Sequence, residues 1–179
     1  MKYEKLLELL GNQGFFDLAS VAQLSGDRRE TIRVQLHRWC RAGKLLPLRR
    51  GMYAFPESYR PGRVGHAELA NALLAPSYIS TYWALGFFGL IPERVVTYTS
   101  VTSRTPTTFE NHFGTFTYRH VKPEAFFGYR QVDFEDRTAL LAEPEKALLD
   151  LWYLEKGASS GTHRGETPGR INWDWWPGG

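Results

Sequence analysis

What this chain does without narrows its chemistry first. It has a single cysteine, Cys40, which excludes an internal disulfide and any cysteine-rich zinc site. Its five histidines, His37, His66, His112, His120 and His163, show no metal-ligand spacing, so no metal site is expected. A Gly-rich phosphate loop and a Gly-x-Ser-x-Gly elbow are both missing, and neither a cofactor nor a catalytic residue is expected. No apolar run approaches the length of a membrane span. The first residues, MKYEKLLELLGNQG, mix acidic side chains with short apolar pairs, unlike a secretory signal, and the expected location is cytoplasmic. Internal repeats are missing as well.

What is present is a chain of 179 residues, 42% hydrophobic and 15% aromatic, long enough for one large or two small domains with a proper core. The net charge is only +3, but its distribution is uneven. Residues 1–63 carry 12 Lys and Arg against 6 Asp and Glu, whereas residues 64–179 carry 10 against 13. The basic excess therefore belongs to the first third, where it forms an electrostatic footprint suited to a polyanion.

That first third has the pattern of helices followed by a hairpin. Tyr3, Leu6, Leu7 and Leu10 share one face of a first helix that Gly11 and Gly14 end. Phe15 and Phe16 are expected to plug a three-helix core with Leu18, Val21, Ile32, Leu36 and Trp39. Asp17 is a good N-cap for a short helix over 18–23, and Ser25-Gly26 supplies a turn. Asp27 then caps a longer helix over 28–42, with Gly43 at the left-handed position past its end. Ile32, Leu36, Trp39 and Cys40 make its apolar stripe, and Cys40 reads there as a small buried hydrophobe. Glu30, Arg33, Val34, His37, Arg38 and Arg41 occupy the other side. Two strands follow, 44–48 and 51–55, reversing at Arg49-Arg50-Gly51 with both arginines at the tip.

A helix pinned by its stripe, with arginines outward and a basic hairpin beside it, is the geometry of a winged helix-turn-helix. Double-stranded DNA is the expected partner, at an operator of inverted repeats. The residues expected nearest the bases are Arg28, Arg29, Arg33 and His37, with Arg29 and Arg33 favoured because a guanidinium matches guanine with two donors. Phosphates would go to Arg38, Arg41, Lys44, Arg49 and Arg50. Two alternatives stand beside this: a winged helix that holds a protein partner instead, and an ordinary amphipathic helix with solvated charges.

Residues 56–63, with two prolines and a glycine, read as a linker between a DNA-binding domain at 1–55 and a second domain at 64–156. Its Arg60 and Arg63 can add phosphate contacts or simply be solvated. Helices are expected over 66–74 and 82–88, the latter capped by Ser80 or Thr81 and apolar nearly all round. Strands are expected over 95–102, 114–121 and 129–134, with Phe116, Tyr118 and His120 on one face and Phe126-Phe127-Gly128 as an apolar turn. His112 reads as a loop residue. A last helix, opened by Pro144, runs to about Leu154 on an apolar face of Ala147, Leu148, Leu151 and Leu154. Residues 157–179 read as a loop-like tail in which Ile171, Trp173, Trp175 and Trp176 pack back on the body. The expected fold class is α+β: an N-terminal winged helix-turn-helix, then a smaller mixed α/β domain with a mostly antiparallel sheet.

Two clusters invite a chemical reading. Glu143, Glu145, Lys146 and Asp150 supply acids and a lysine as metal-dependent nucleases do, but Glu145 and Lys146 are adjacent at a helix start, where acids simply favour the dipole. Ser100, Thr102, Ser103 and Arg104 suit a phosphate, and equally a solvated turn.

An ordered series of blocks then makes the chain recognisable. Tyr78-Ile79-Ser80, Ala84-Leu85 and Gly89-Leu90-Ile91-Pro92-Glu93 come first. Val101-Thr102 and the stretch from Phe109 through Phe113-Gly114-Thr115-Phe116 to His120 follow, and Ala142-Glu143-Pro144-Glu145-Lys146-Ala147-Leu148-Leu149-Asp150 closes the series. With the winged helix before them, these blocks resemble the AbiEi-type antitoxin family of type IV toxin–antitoxin and phage-defence loci, over roughly residues 1–154. The resemblance implies a bacterial, non-enzymatic repressor of its own operon that also counteracts a nucleotidyltransferase-like toxin. The first activity would belong to the winged helix and the second to the later domain. It also implies that Lys146 and Asp150 are structural, as an i, i+4 pair. Members commonly continue with further helices after the Glu-Pro-Glu-Lys helix, where this chain reads as a loop. A phage-defence regulator without antitoxin activity is the alternative.

Overall fold

Alternating side chains of a small sheet divide the hydrophobic residues between two clusters. In a computed structural model, which describes residues 1–60, 62–134 and 137–158, the chain begins with α1 (Tyr3–Leu10), whose Tyr3, Leu6 and Leu10 are buried. A two-residue strand, β1 (Phe16–Asp17), leads into α2 (Leu18–Ser25) and α3 (Arg29–Arg41). The hairpin β2 (Leu46–Arg49) and β3 (Met52–Ala54) follows, and β1 joins it antiparallel in the order β1-β3-β2. Neither that third strand nor its pairing of Phe16 with Tyr53 was legible in the sequence.

Because side chains alternate across a strand, this sheet has two apolar faces. Phe16, Leu45 and Phe55 join Leu6, Leu10, Val21, Ile32 and Leu36 in one cluster, with Trp39, Cys40 and Tyr53 packed at its edge. Leu48, Met52 and Ala54 belong instead to the second cluster, which the rest of the chain builds, and Phe15 packs there too. The hairpin is thus the common wall of both clusters. The side-chain amide of Asn111 donates to the Leu48 carbonyl at 3.2 Å and ties it further.

The remaining elements are α4 (His66–Leu73), β4 (Ser77–Ile79), α5 (Thr81–Phe87), β5 (Tyr98–Thr102), β6 (Thr107–Asn111), β7 (Gly114–His120), β8 (Tyr129–Phe134), β9 (Arg137–Ala142) and α6 (Pro144–Ala158). The strands form one six-stranded sheet in the order β6-β7-β5-β4-β9-β8. β5 with β7 and β4 with β9 run parallel, and the other three pairs are antiparallel. The sheet is mixed with antiparallel pairs in the majority, as expected, and it is larger than expected because β4, β6 and β9 join it. It also carries the larger of the two clusters, so the expectation of a smaller second unit is corrected.

Three local expectations change with it. Ser80 precedes α5 but does not cap it, since its hydroxyl donates to Asp150 Oδ2 at 2.7 Å. Thr81 takes a left-handed φ of 54°, strained for a β-branched residue. The face of β7 splits: Phe116 and Tyr118 are buried, the latter bonding the Ala70 carbonyl, whereas His120 is exposed and meets the Arg104 carbonyl at 3.0 Å. The α5 helix is not buried all round, as Phe87 remains 45% exposed.

At the core of α6, Lys146 Nζ lies 2.6 Å from Asp150 Oδ1 and donates to the Ala125 carbonyl at 2.7 Å. Tyr78 and Ser80 hydroxyls complete the Asp150 carboxylate. The pair is the i, i+4 pair anticipated. It is buried and fully partnered, with Glu143 and Glu145 exposed outside it, an arrangement that holds a helix down and offers no metal an open position. The tail residues 159–179, including His163, Ile171, Trp173, Trp175 and Trp176, lie outside the described residues.

Candidate nucleic-acid interface

The site is built by the turn that orients α3 and by the reversal that brings the hairpin against it. Asp17 begins α2 as expected, its Oδ1 accepting the Ser20 amide at 2.7 Å. Burial alone would raise the Asp17 carboxyl, but the Ser20 amide and hydroxyl, with the Arg49 guanidinium, outweigh it and hold the group below its usual range. The helix runs two residues past the expected end, to Ser25, and Gly26 at φ 70° turns the chain. Asp27 does not cap α3. Its carboxylate sits 3.3 Å from the Met1 amine and its own amide donates to Ser25 Oγ, so Arg28 takes the cap position without a side-chain bond. The far end matches expectation: Gly43, at φ 69°, donates to the Cys40 carbonyl while the Lys44 amide reaches Trp39, the two bonds of a Schellman close.

Ile32 and Leu36 anchor α3, both fully buried. Arg28, Arg29, Arg33, His37, Arg38 and Arg41 are all exposed. Lys44 is exposed too, with its ammonium 4.9 Å from the Tyr3 ring centroid. The hairpin departs from expectation in one respect. Its reversal is Arg50-Gly51, with Gly51 at φ 79°, and Arg49 belongs to β2 in register with Met52. Arg50 is exposed at the tip, whereas Arg49 is half-buried, its Nη1 donating to the Arg50 carbonyl at 3.1 Å. The tip therefore presents one guanidinium, with the second drawn back beneath it.

A groove of about 910 Å³ runs between α3 and the hairpin, and Arg33, His37, Arg38, Arg41, Arg49 and Arg50 line it. A smaller recess of about 340 Å³ adds Arg29 and Glu30 beside Arg33 and Arg50. Seven of the nine expected residues thus converge on one concave basic surface, and Arg28 and Lys44 lie outside its walls. Tyr53 lines both hollows and was missed. Burial raises its hydroxyl pKa, aided by neighbouring Cys40 and opposed by Arg33. The alternation Met52-Tyr53-Ala54 carried that signal, since Met52 and Ala54 face the second cluster and leave Tyr53 toward α3. Cys40 also lines the groove and is only partly buried, correcting its assignment to the core; burial nonetheless pushes its thiol up, so it stays protonated and a weak nucleophile.

Among the described residues, no group of three or more His, Cys, Asp or Glu side chains can hold a metal ion, and no helix is long and apolar enough to cross a membrane. The surface offers positive charge, hydrogen-bond donors and a concave shape. Such a surface is complementary to an anion in charge.

No curated protein matches the chain. One family model, described as transcriptional regulator, AbiEi antitoxin, matches residues 4–56, the stretch from α1 to just past β3. The blocks between Tyr78 and Asp150 lie beyond the matched residues. By that match residues 4–56 of this chain are similar to the AbiEi antitoxin family of transcriptional regulators.

Proposed function

We propose that the chain is a DNA-binding repressor of its own operon that also serves as the antitoxin of a type IV toxin–antitoxin pair, counteracting a nucleotidyltransferase-like toxin. The observation that carries the DNA-binding half is the groove in which Arg33, His37, Arg38 and Arg41 of α3 face Arg50 of the hairpin. In this reading α3 lies in the major groove, with Arg29, Arg33 and His37 toward base edges and Arg28 at the entrance. Arg38, Arg41, Lys44 and Arg50 take phosphates, and the half-buried Arg49 braces the hairpin from below and reaches phosphate only secondarily. The division of labour follows the expected boundaries: residues 1–55 hold DNA, 56–63 link, and 64–156 carry the antitoxin activity, all in the cytoplasm. Inverted repeats in the operator would seat two copies side by side.

Gel shifts of the full chain on its upstream DNA and on scrambled duplex test the first half. Tight, sequence-selective retention supports it, and a chain that ignores DNA at low salt sinks it and favours a protein partner. Co-expression with the neighbouring reading frame tests the second half. Growth arrest relieved by a full chain whose DNA binding is removed by Arg33→Ala and Arg50→Ala supports a separate antitoxin activity, and arrest that persists with the full chain removes it.

A further inference from the structure

A second cavity, of about 720 Å³, opens where stretches 57–60 and 62–68 pass over the six-stranded sheet, away from the residues that line the basic groove. Its aromatic side is made by Trp83 and Phe87 of α5, Tyr98 of β5 and Phe113 of the β6–β7 turn. Trp83 stacks on Tyr98 with centroids 4.7 Å apart and lies nearly parallel to Phe87 at 5.9 Å. Phe87 keeps 45% of its surface exposed, an apolar ring left uncovered beside a hollow of ligand size.

The polar lining is as specific. Arg60 holds its guanidinium 5.3 Å from the Phe113 centroid, and its Nε is buried with no hydrogen-bond partner among the described residues. Such a donor costs free energy unless something fills it. Arg63 is exposed beside it. Arg137 is paired with Glu68 at 3.2 Å, and Glu57 and Asp133 are exposed on the rim. Three guanidiniums thus face three carboxylates, so a polyanion gains nothing here. The cavity differs in kind from the basic groove.

Stacking faces, a pair of arginines and nearby carboxylates ask for a flat ring, an anionic group and an N–H donor in one small molecule. We propose that this cavity is a binding site for a purine nucleoside monophosphate, its base against Trp83 and Phe87, its phosphate on Arg60 and Arg63, and its exocyclic amino group toward Asp133. Guanidinium pairs suit phosphate through charge-assisted bonds, and aromatic faces take a base whatever its sequence context.

Thermal shift of the full chain with AMP, GMP, adenosine, ribose 5-phosphate and free tryptophan tests this. AMP or GMP at saturation should raise Tm by about 5–10 °C, with adenosine and ribose 5-phosphate each shifting it less. Arg60→Ala/Arg63→Ala should weaken AMP at least tenfold and leave adenosine unchanged, and Trp83→Phe should keep binding. Arg33→Ala, in the other groove, should not alter it. No shift with either nucleotide at millimolar concentration overturns the proposal. So does a shift equalled by ribose 5-phosphate, one surpassed by tryptophan, or one lost in Arg33→Ala instead of the double variant.

Discussion

Arg33 and Arg50 look across one groove from different elements, and their surroundings assign them different work. Arg33 sits mid-helix beside Tyr53, held in direction by a buried stripe, and suits a base edge; Arg50 stands exposed on a turn and suits a phosphate. Arg33→Ala should cost roughly 1–3 kcal/mol on the operator and relax preference at one base pair. Arg50→Ala should weaken all sequences alike and lower the salt slope by about one unit. Competition gel shifts distinguish the two; equal losses on operator and scrambled DNA for Arg33→Ala remove its reading role. The sequence showed that arginines gather here, but not that Arg49 withdraws, because its placement depends on a register with Met52 that no local pattern encodes. Asp17 gives a second residue-scale prediction. Its folded pKa is depressed, so the native state binds fewer protons than the unfolded one, and its contribution is present above the unfolded value near 4 and lost as pH falls through the folded value. Asp17→Ala should therefore cost about 1 kcal/mol at pH 7, and urea titrations should show the gap to the parent closing below pH 4. A gap that widens in acid would contradict the capping geometry.

Among elements, α1 to α5 were legible to within a residue or two, whereas α6 runs to Ala158, four residues past the expected Leu154 and into the start of the expected loop-like tail. α1 has the bounds expected, and α3 begins one residue late because Asp27 is engaged elsewhere and ends one residue early, at Arg41. Leu36 carries much of that helix's anchoring, being fully buried in the cluster that α3 shares with α1, α2 and β1. Leu36→Ala should cost about 2–5 kcal/mol and lower DNA affinity through displacement of α3, read by urea unfolding beside gel shifts. A near-neutral change would mean that the helix is held by something other than its stripe. Strands fared worse for physical reasons. β1 is two residues long and exists only through β3, so no period can reveal it. β9, Arg137–Ala142, has its Ala139, Leu141 and Ala142 buried and Leu140 half-buried, which erases alternation. β6, Thr107–Asn111, is an edge strand of mostly polar residues that resembles a loop in sequence. Ser80 looked like a helix cap only because Asp150, seventy positions later, was invisible as its real acceptor.

At the scale of the whole molecule, the hairpin does more than carry an arginine. Phe55 and Tyr53 face one hydrophobic cluster, Leu48, Met52 and Ala54 the other, and Asn111 of β6 bonds its backbone. Loss of either cluster leaves the other with an uncovered face. Urea unfolding followed by far-UV circular dichroism and by tryptophan emission should therefore give one coincident transition, and two separated transitions would show that the clusters stand independently. The same arrangement backs the hairpin that faces α3 across the groove. The charge asymmetry read from the sequence falls on the residues that line that groove, while the shared wall behind it depended on long-range packing. The most direct test of the account is the affinity of the full chain for its upstream duplex, by fluorescence anisotropy, across a salt series from about 50 to 300 mM. Log affinity should fall linearly with log salt, at a slope that Arg50→Ala and Arg38→Ala each reduce by about one. Binding that is absent at low salt, or that is indifferent to both salt and these substitutions, would contradict it.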